Sequence, residues 1–233
     1  MDFVKSNLNG FANVLDACKK YEVQEFLYAS SSSVYGARTD APFQETDRCD
    51  TPESFYAATK MANEMMAYAY HSQYGMASLG MRFFTVYGPW GRPDMAPLMF
   101  ARKLLKGETL RLFAKGELLR DFTYVDDIVE STLRVLDTPA TPDPAFVREA
   151  PRSSTSFAPY RVFNIGNADP VQLMDFVSTL EQAVGRPASK RMLPAQPGDV
   201  EATYADTSAL RDWVGFQPST PLATGVERFV RWY

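Results

Sequence analysis

The segment Tyr56-Ala57-Ala58-Thr59-Lys60 sets a phenol and an ammonium four residues apart, on one face of any helix that carries them. A free tyrosine gives up its proton only near pH ~10, but an adjacent ammonium favours the phenolate, a proton acceptor suited to a hydroxyl. Chance alone expects roughly 0.4 such pairs in a chain of this make-up, so the spacing by itself equally describes a surface pair. Its weight comes from Ser30, Ser31, Ser32 and Ser33, which directly follow the apolar run Phe26–Ala29. A parallel strand ending in hydroxyls is where open α/β sheets place their ligands. Plain capping of the strand end is the competing reading of the serines.

The elements that must hold these residues are legible from periodicity. Phe11, Val14, Leu15 and Cys18 mark a helix within 9–21, and the run at 26–29 a buried strand. The stretch 54–73, rich in Ala and Met, predicts the long helix bearing Tyr56 and Lys60; 77–84 predicts the next strand. Helix, strand, helix, strand at this spacing argues a parallel α/β sheet. Further on, 98–105 reads as helix, 109–113 as strand and 126–136 as a helix opened by Asp126 and Asp127. Residues 138–160, dense in Pro, Ser and Ala, read as an exposed loop, followed by a strand at 161–165 and helices near 171–184 and 226–232. The fold class expected is α/β: a partial Rossmann sheet with a smaller C-terminal α/β region.

Composition closes off other classes. A net charge of −4 gives no electrostatic footprint for nucleic acid or an anionic membrane. Two cysteines, Cys18 and Cys49, have no finger spacing, so neither a metal site nor a disulfide framework is expected, and a cytoplasmic setting is. The single histidine, His71, rules out Ser-His-Asp hydrolysis and is expected at a surface or interface. Met61, Met65 and Met66 follow helical spacing and read as packing across a helix pair between two copies.

Five segments in order carry a family resemblance. They are Ala29-Ser30-Ser31-Ser32-Ser33-Val34-Tyr35-Gly36 with Tyr56 and Lys60; Arg82-Phe83-Phe84-Thr85-Val86-Tyr87-Gly88-Pro89; Arg120-Asp121-Phe122-Thr123-Tyr124-Val125-Asp126-Asp127; Asn164-Ile165-Gly166-Asn167; and Gln196-Pro197-Gly198-Asp199-Val200. The chain resembles the extended short-chain dehydrogenase/reductases of the NAD-dependent epimerase/dehydratase family, and within it the UDP-glucuronate 4-epimerases.

The resemblance implies NAD as cofactor and a UDP-sugar (UDP-glucuronate or UDP-galacturonate) as partner, with epimerisation through a 4-keto intermediate. It implies Tyr56 as the base, Lys60 as the holder of the nicotinamide ribose, and Ser31, 25 residues before Tyr56, on the reacting hydroxyl. Phe83, Val86 and Asn7 fall where the family meets the nicotinamide end; packing or helix capping is an equal reading. On the substrate side, Ser32 and Ser33 join Ser31, and Arg120 matches the diphosphate arginine. Arg111 and Phe113 frame the uridine on a strand and Asp199 a ribose hydroxyl, though Arg111 and Asp199 equally read as solvated charges. Thr85 with Arg92 suits a uronate carboxylate, where UDP-galactose epimerases usually carry Asn at the first position.

Residues 1–95 are expected to form the C-terminal part of a Rossmann NAD-binding domain. Residues 96–233 are expected to form mainly the UDP-sugar region, with some segments completing the sheet. A homodimer through the Tyr56 helix is expected. The family's opening strand and Gly-x-x-Gly-x-x-Gly turn do not occur among these 233 residues. The alternatives are therefore a fragment of a longer protein or a non-catalytic NAD or nucleotide-sugar binder. A 4,6-dehydratase or decarboxylase would carry acids in the loop where Ser32 and Ser33 stand.

Overall fold

The computed structural model describes residues 1–195 and 201–233. Its first turns run as a π-helix, Val4–Gly10, straight into α1, Phe11–Lys20. Strand β1, Glu25–Ser31, follows and gives way to a 3-10 turn, Ser32–Tyr35. Gly36 ends that turn at φ +62°, and a Cβ there would overlap the carbonyl of Thr51, so only glycine fits.

Helix α2, Phe55–Tyr74, is bounded by signals its sequence carries. Ser54 accepts from the Ala57 amide at 3.1 Å as N-cap, and Gly75 closes it at φ 69° in the left-handed region. Next come β2, Ala77–Phe83, and β3, Thr85–Tyr87. Helix α3, Ala96–Lys106, starts with Pro97 in its first turn and stops at Gly107; β4, Leu110–Leu112, is short. Strand β5, Leu119–Tyr124, leads into α4, Val125–Leu136, with Asp126 and Asp127 in its first turn. The chain continues through β6, Tyr160–Ile165; β7, Pro170–Gln172; α5, Leu173–Val184; and β8, Lys190–Met192. It finishes with β9, Ala202–Thr203; α6, Ser208–Val214; and α7, Leu222–Trp232.

Three parallel strands in the order β1-β2-β6 form the main sheet, so β6 joins the sheet begun by β1 and β2, and among the described residues β1 is an edge. Alternation assigns its two faces. Leu79, Met81, Phe163 and Ile165 pack with Ile128, Val135 and Leu210 from α4 and α6. Tyr28, Tyr160 and Val162 point the other way, onto Ala67 of α2. Gly80 is required there because a Cβ would fall 2.6 Å from the Tyr28 hydroxyl. Beside this sheet β5 pairs with β3 and β9 in parallel and with β7 antiparallel, while β4 pairs with β8. The largest apolar cluster lies between these strands and α3, α5 and α7, around Phe100, Leu112, Phe122, Phe176 and Phe229.

Four expectations are corrected. His71 is fully buried, not at a surface: its ring stacks on Tyr160 at 4.9 Å and meets Tyr68 edge-on, because α2 turns that position toward the sheet. Met61 packs inside the chain against Val34, Tyr35, Phe43 and Phe84, so of the methionines weighed for a helix pair Met65, 63% exposed, is the outward one. Phe113 lies past the end of β4, because Ala114 and Lys115 take left-handed backbone conformations that turn the chain. The end of the 138–160 loop is interior: Ser154 and Ser156 are buried, and Asp143 pairs with Arg161.

Candidate active site

Strand β1, helix α2 and the β2–α3 connection meet around a cleft of about 670 Å³. Ser31, Ser33, Tyr56, Lys60, Phe83, Val86 and Arg92 all line it, gathered from positions up to 61 residues apart. A second hollow of similar size, about 660 Å³, opens on the other flank of α2 beside Met65 and Tyr68; it contains none of these residues.

Helix α2 begins beyond the C-terminal end of β1, which brings Tyr56 and Lys60 to the strand end. Lys60 Nζ donates to the Ala29 carbonyl at 3.0 Å and lies 5.9 Å from the centre of the Tyr56 ring. Burial pulls the Lys60 ammonium below its ordinary pKa. An ammonium carries three donors, so two remain for a ligand. The Tyr56 ring packs against Phe3 at 5.6 Å.

Ser31 does cap the chain turn after β1. Its Oγ accepts from the Ser33 amide at 3.3 Å and the Ser33 hydroxyl at 3.0 Å. Both bonds use the oxygen's lone pairs, leaving the Ser31 proton available to the cleft, so capping and ligand contact are compatible.

The other wall is the turn from Tyr87 to Met95. Gly88 stands at φ 139°, where a Cβ would strike the Val125 side chain at 2.6 Å, and Trp90 holds a left-handed φ of 61°. Arg92 extends from this turn, and its fork grips Asp94: Nε to Oδ1 is 3.1 Å and Nη2 to Oδ2 is 2.6 Å. Both side chains are largely exposed.

A scan of known families matches residues 1–166 to the NAD dependent epimerase/dehydratase family. The chain belongs to that family. It is 45% identical over 235 residues to a probable UDP-glucuronate 4-epimerase of Rhizobium meliloti, covering 99% of this chain and 68% of that protein. It is 47% identical to UDP-glucuronate 4-epimerase 2 of Arabidopsis thaliana, with 99% of this chain spanning 53% of the plant protein. Among solved structures, the UDP-glucuronic acid 4-epimerase of Bacillus cereus in complex with UDP-glucuronic acid and NAD superposes with a TM-score of 0.84 at 30% identity, covering 98% of this chain and 67% of that one.

The family is one of NAD-dependent enzymes, and the residues of this member fit the nicotinamide half of that cofactor. Phe83 and Val86 offer an apolar wall, and the Lys60 ammonium, with donors to spare, faces the same cleft. Asn7 stands just behind this site: its amide donates to Thr59 Oγ1 at 2.9 Å, and its carbonyl accepts from Asn63.

The remaining residues singled out in the sequence stand elsewhere. Ser32 opens the 3-10 turn, and Thr85 opens β3 opposite Phe122; neither is among the lining residues. Arg111 is exposed on β4. Arg120, half-buried on β5, donates to the Leu119 carbonyl at 2.7 Å and to that of Glu201 at 3.4 Å. Asp199, with the Gln196–Val200 motif, lies outside the described residues.

Sequence reasoning passed over Glu64, and it gave Ser30 and Arg82 no role beyond their motifs. The signal was present: Arg82 is a charge inside the apolar run 77–84, and a charge there requires a buried partner. No helix among the described residues is long and apolar enough to cross a membrane.

Proposed function

We propose that this chain carries the reacting half of a UDP-glucuronate 4-epimerase, which interconverts UDP-glucuronate and UDP-galacturonate. The observation that carries this reading is the placement of Arg92, already gripping a carboxylate in bidentate fashion, on the wall of the cleft that holds Ser31, Tyr56 and Lys60. Asp94 occupies the fork as a sugar carboxylate would.

In this reading Tyr56, reacting as its phenolate, takes the proton from the sugar's C4 hydroxyl and becomes neutral as C4 gives up hydride and turns into a carbonyl; the Lys60 ammonium stands 5.9 Å from the centre of the ring. Ser31 donates its free proton to the same oxygen and holds it in place. Lys60 also anchors the cofactor through its remaining donors. NAD, when bound, supplies a hydride acceptor that can return the hydride to the opposite face, so no net oxidation occurs. Ser33 completes the sugar contacts from the cleft wall, with Ser32 and Thr85 set back from it on the adjoining 3-10 turn and β3. Phe83, Val86 and Asn7 form the nicotinamide end, with Asn7 acting through its hold on Thr59. Arg120 takes the diphosphate, and Arg111, Phe113 and Asp199 the uridine. A homodimer through α2 belongs to the same proposal, supported by the outward Phe55 and Met65.

Incubation of a version extended upstream to the length of its relatives with UDP-glucuronate and NAD, followed by proton NMR at the sugar's anomeric position, tests the reading. UDP-galacturonate should accumulate to an equilibrium mixture, and Tyr56→Phe should lower kcat by at least about a hundredfold with binding of the UDP-sugar retained. A Tyr56→Phe protein as fast as its parent, or inversion of UDP-glucose in preference to the uronate, overturns it.

A further inference from the structure

We infer that Ser30, Glu64 and Arg82 are positioning residues of this site: one buried carboxylate fixes where the cleft's three walls stand relative to one another. The inference rests on the catalytic reading above for its kinetic consequence, and on geometry alone for its structural one.

Glu64 is the hub. Its Oε1 accepts from the Ser30 hydroxyl at 2.5 Å and from Arg82 Nε at 2.9 Å, and its Oε2 accepts from Arg82 Nη2 at 2.8 Å. All three side chains are buried, Arg82 completely. Each comes from a different element, and each stands beside a cleft residue. Ser30 precedes Ser31 on β1, Arg82 precedes Phe83 on β2, and Glu64 lies one helical turn beyond Lys60 on α2. Alternation along the strands sends Ser30 and Arg82 toward α2 and turns their neighbours away from it.

The rest of Arg82 is held too. Its Nη1 donates to the Tyr35 hydroxyl at 3.0 Å, and Tyr35 in turn donates to Asn164 Oδ1 at 2.6 Å on β6. The carboxylate and the guanidinium therefore already satisfy each other, and the Ser30 bond adds little to that pair. What it adds is a tie between β1 and α2 at the point where Lys60 Nζ also reaches the Ala29 carbonyl. Two adjacent residues of β1 are thus fixed to two turns of one helix, which sets the distance from Ser31 to Tyr56. Rates are sensitive to that kind of placement far more than binding is.

Removing Glu64 or Arg82 would strand a buried charge and unfold the region, so the test uses Ser30. In the active protein, Ser30→Ala should lower kcat about tenfold while KM for UDP-glucuronate stays within about twofold. The isotope effect on kcat with substrate deuterated at C4 should rise, as the chemical step becomes more fully rate-limiting. Ser30→Thr, which keeps the hydroxyl, should restore most of the rate.

Independently of activity, amide exchange in the protein extended upstream to the length of its relatives, measured without ligands, should quicken at 31–33 and 56–60 in Ser30→Ala and hold steady in α5 and β5. Unchanged kcat with unchanged exchange overturns the inference. So does a rate loss accompanied by faster exchange everywhere, since that is ordinary destabilisation. If the parent protein inverts no UDP-sugar, the proposed function falls, and the exchange pattern alone decides this one.

Discussion

Arg92 and Asp94 compete with any ligand for each other. The pair lies two residues apart on an exposed turn, where solvent screening keeps such an ion pair weak. In the proposed reading a uronate carboxylate entering the cleft takes the place of Asp94 in the Arg92 fork. Arg92→Ala should therefore reduce kcat/KM for UDP-glucuronate by about tenfold or more, and that for UDP-glucose much less. Asp94→Asn should act in the opposite sense, lowering KM for the uronate by about two- to fivefold, because the fork no longer has a rival. Steady-state kinetics on both sugars decide it. Equal losses on the two substrates in Arg92→Ala would assign the guanidinium to a group they share, the diphosphate.

Elements with strong local signals were readable to within a residue or two. Helix α2 has a serine cap, a terminal glycine and no proline inside, and β1 and β2 are built around short apolar stretches, 26–29 and 79–81. The short strands β3, β7, β8 and β9 were not readable, because two or three residues carry no periodicity and exist only through partners distant in sequence. Strand β5 hid for a different reason. Its Arg120, Asp121 and Thr123 break the apolar pattern, yet Asp121 is buried and accepts amides from Asn167, Ala168 and Ala205, ties that only the assembled fold supplies. The tyrosine, lysine and serine of the site were legible from spacing; the Glu64 hub was not, since nothing in a sequence shows which buried charges meet.

His71 was misread for the same reason, and its burial has a measurable consequence. Enclosed by Tyr68, Phe157 and Tyr160, with no hydrogen-bond partner among the described residues for either ring nitrogen, its imidazole is pushed down to about 4 by desolvation. The unfolded chain then binds the proton more readily than the folded one, so the contribution of His71 is complete above about pH 6.5 and is lost as pH falls toward 4. Between pH 7.5 and 5 the loss is about 2 kcal/mol. Glu45, whose carboxyl burial lifts to about 6, works in the opposite direction over part of this range. A comparison with His71→Phe, where Glu45 is unchanged, isolates the histidine. Urea unfolding at the two pH values should show the parent losing about 2 kcal/mol more than the variant on acidification. Equal losses would mean that the ring is hydrated and titrates normally.

At the scale of the whole molecule, the proposed reading gives these 233 residues the reacting end of a cofactor site, and their sequence holds no glycine-rich turn to seat a pyrophosphate. Lys60, Phe83 and Val86 can meet the nicotinamide half, but most of the affinity for a dinucleotide comes from seating its phosphates on a helix N-terminus. Among the described residues strand β1 has β2 on one side and no strand on the other, which leaves a row of backbone groups open to other chains. Phe3, Val14, Phe55 and Met65 add exposed apolar surface around α1 and α2. The 233-residue chain on its own is therefore expected to bind NAD more weakly than about 1 mM and to form irregular oligomers. A version extended upstream to the length of its relatives should bind it in the micromolar range as a dimer through α2. Calorimetric titration with NAD and sedimentation velocity, run side by side on the two lengths, measure both parts. Micromolar NAD binding by a monodisperse 233-residue chain would show that the edge and the missing cradle do not matter; a monomeric extended protein would remove α2 as an interface while leaving the cofactor argument standing.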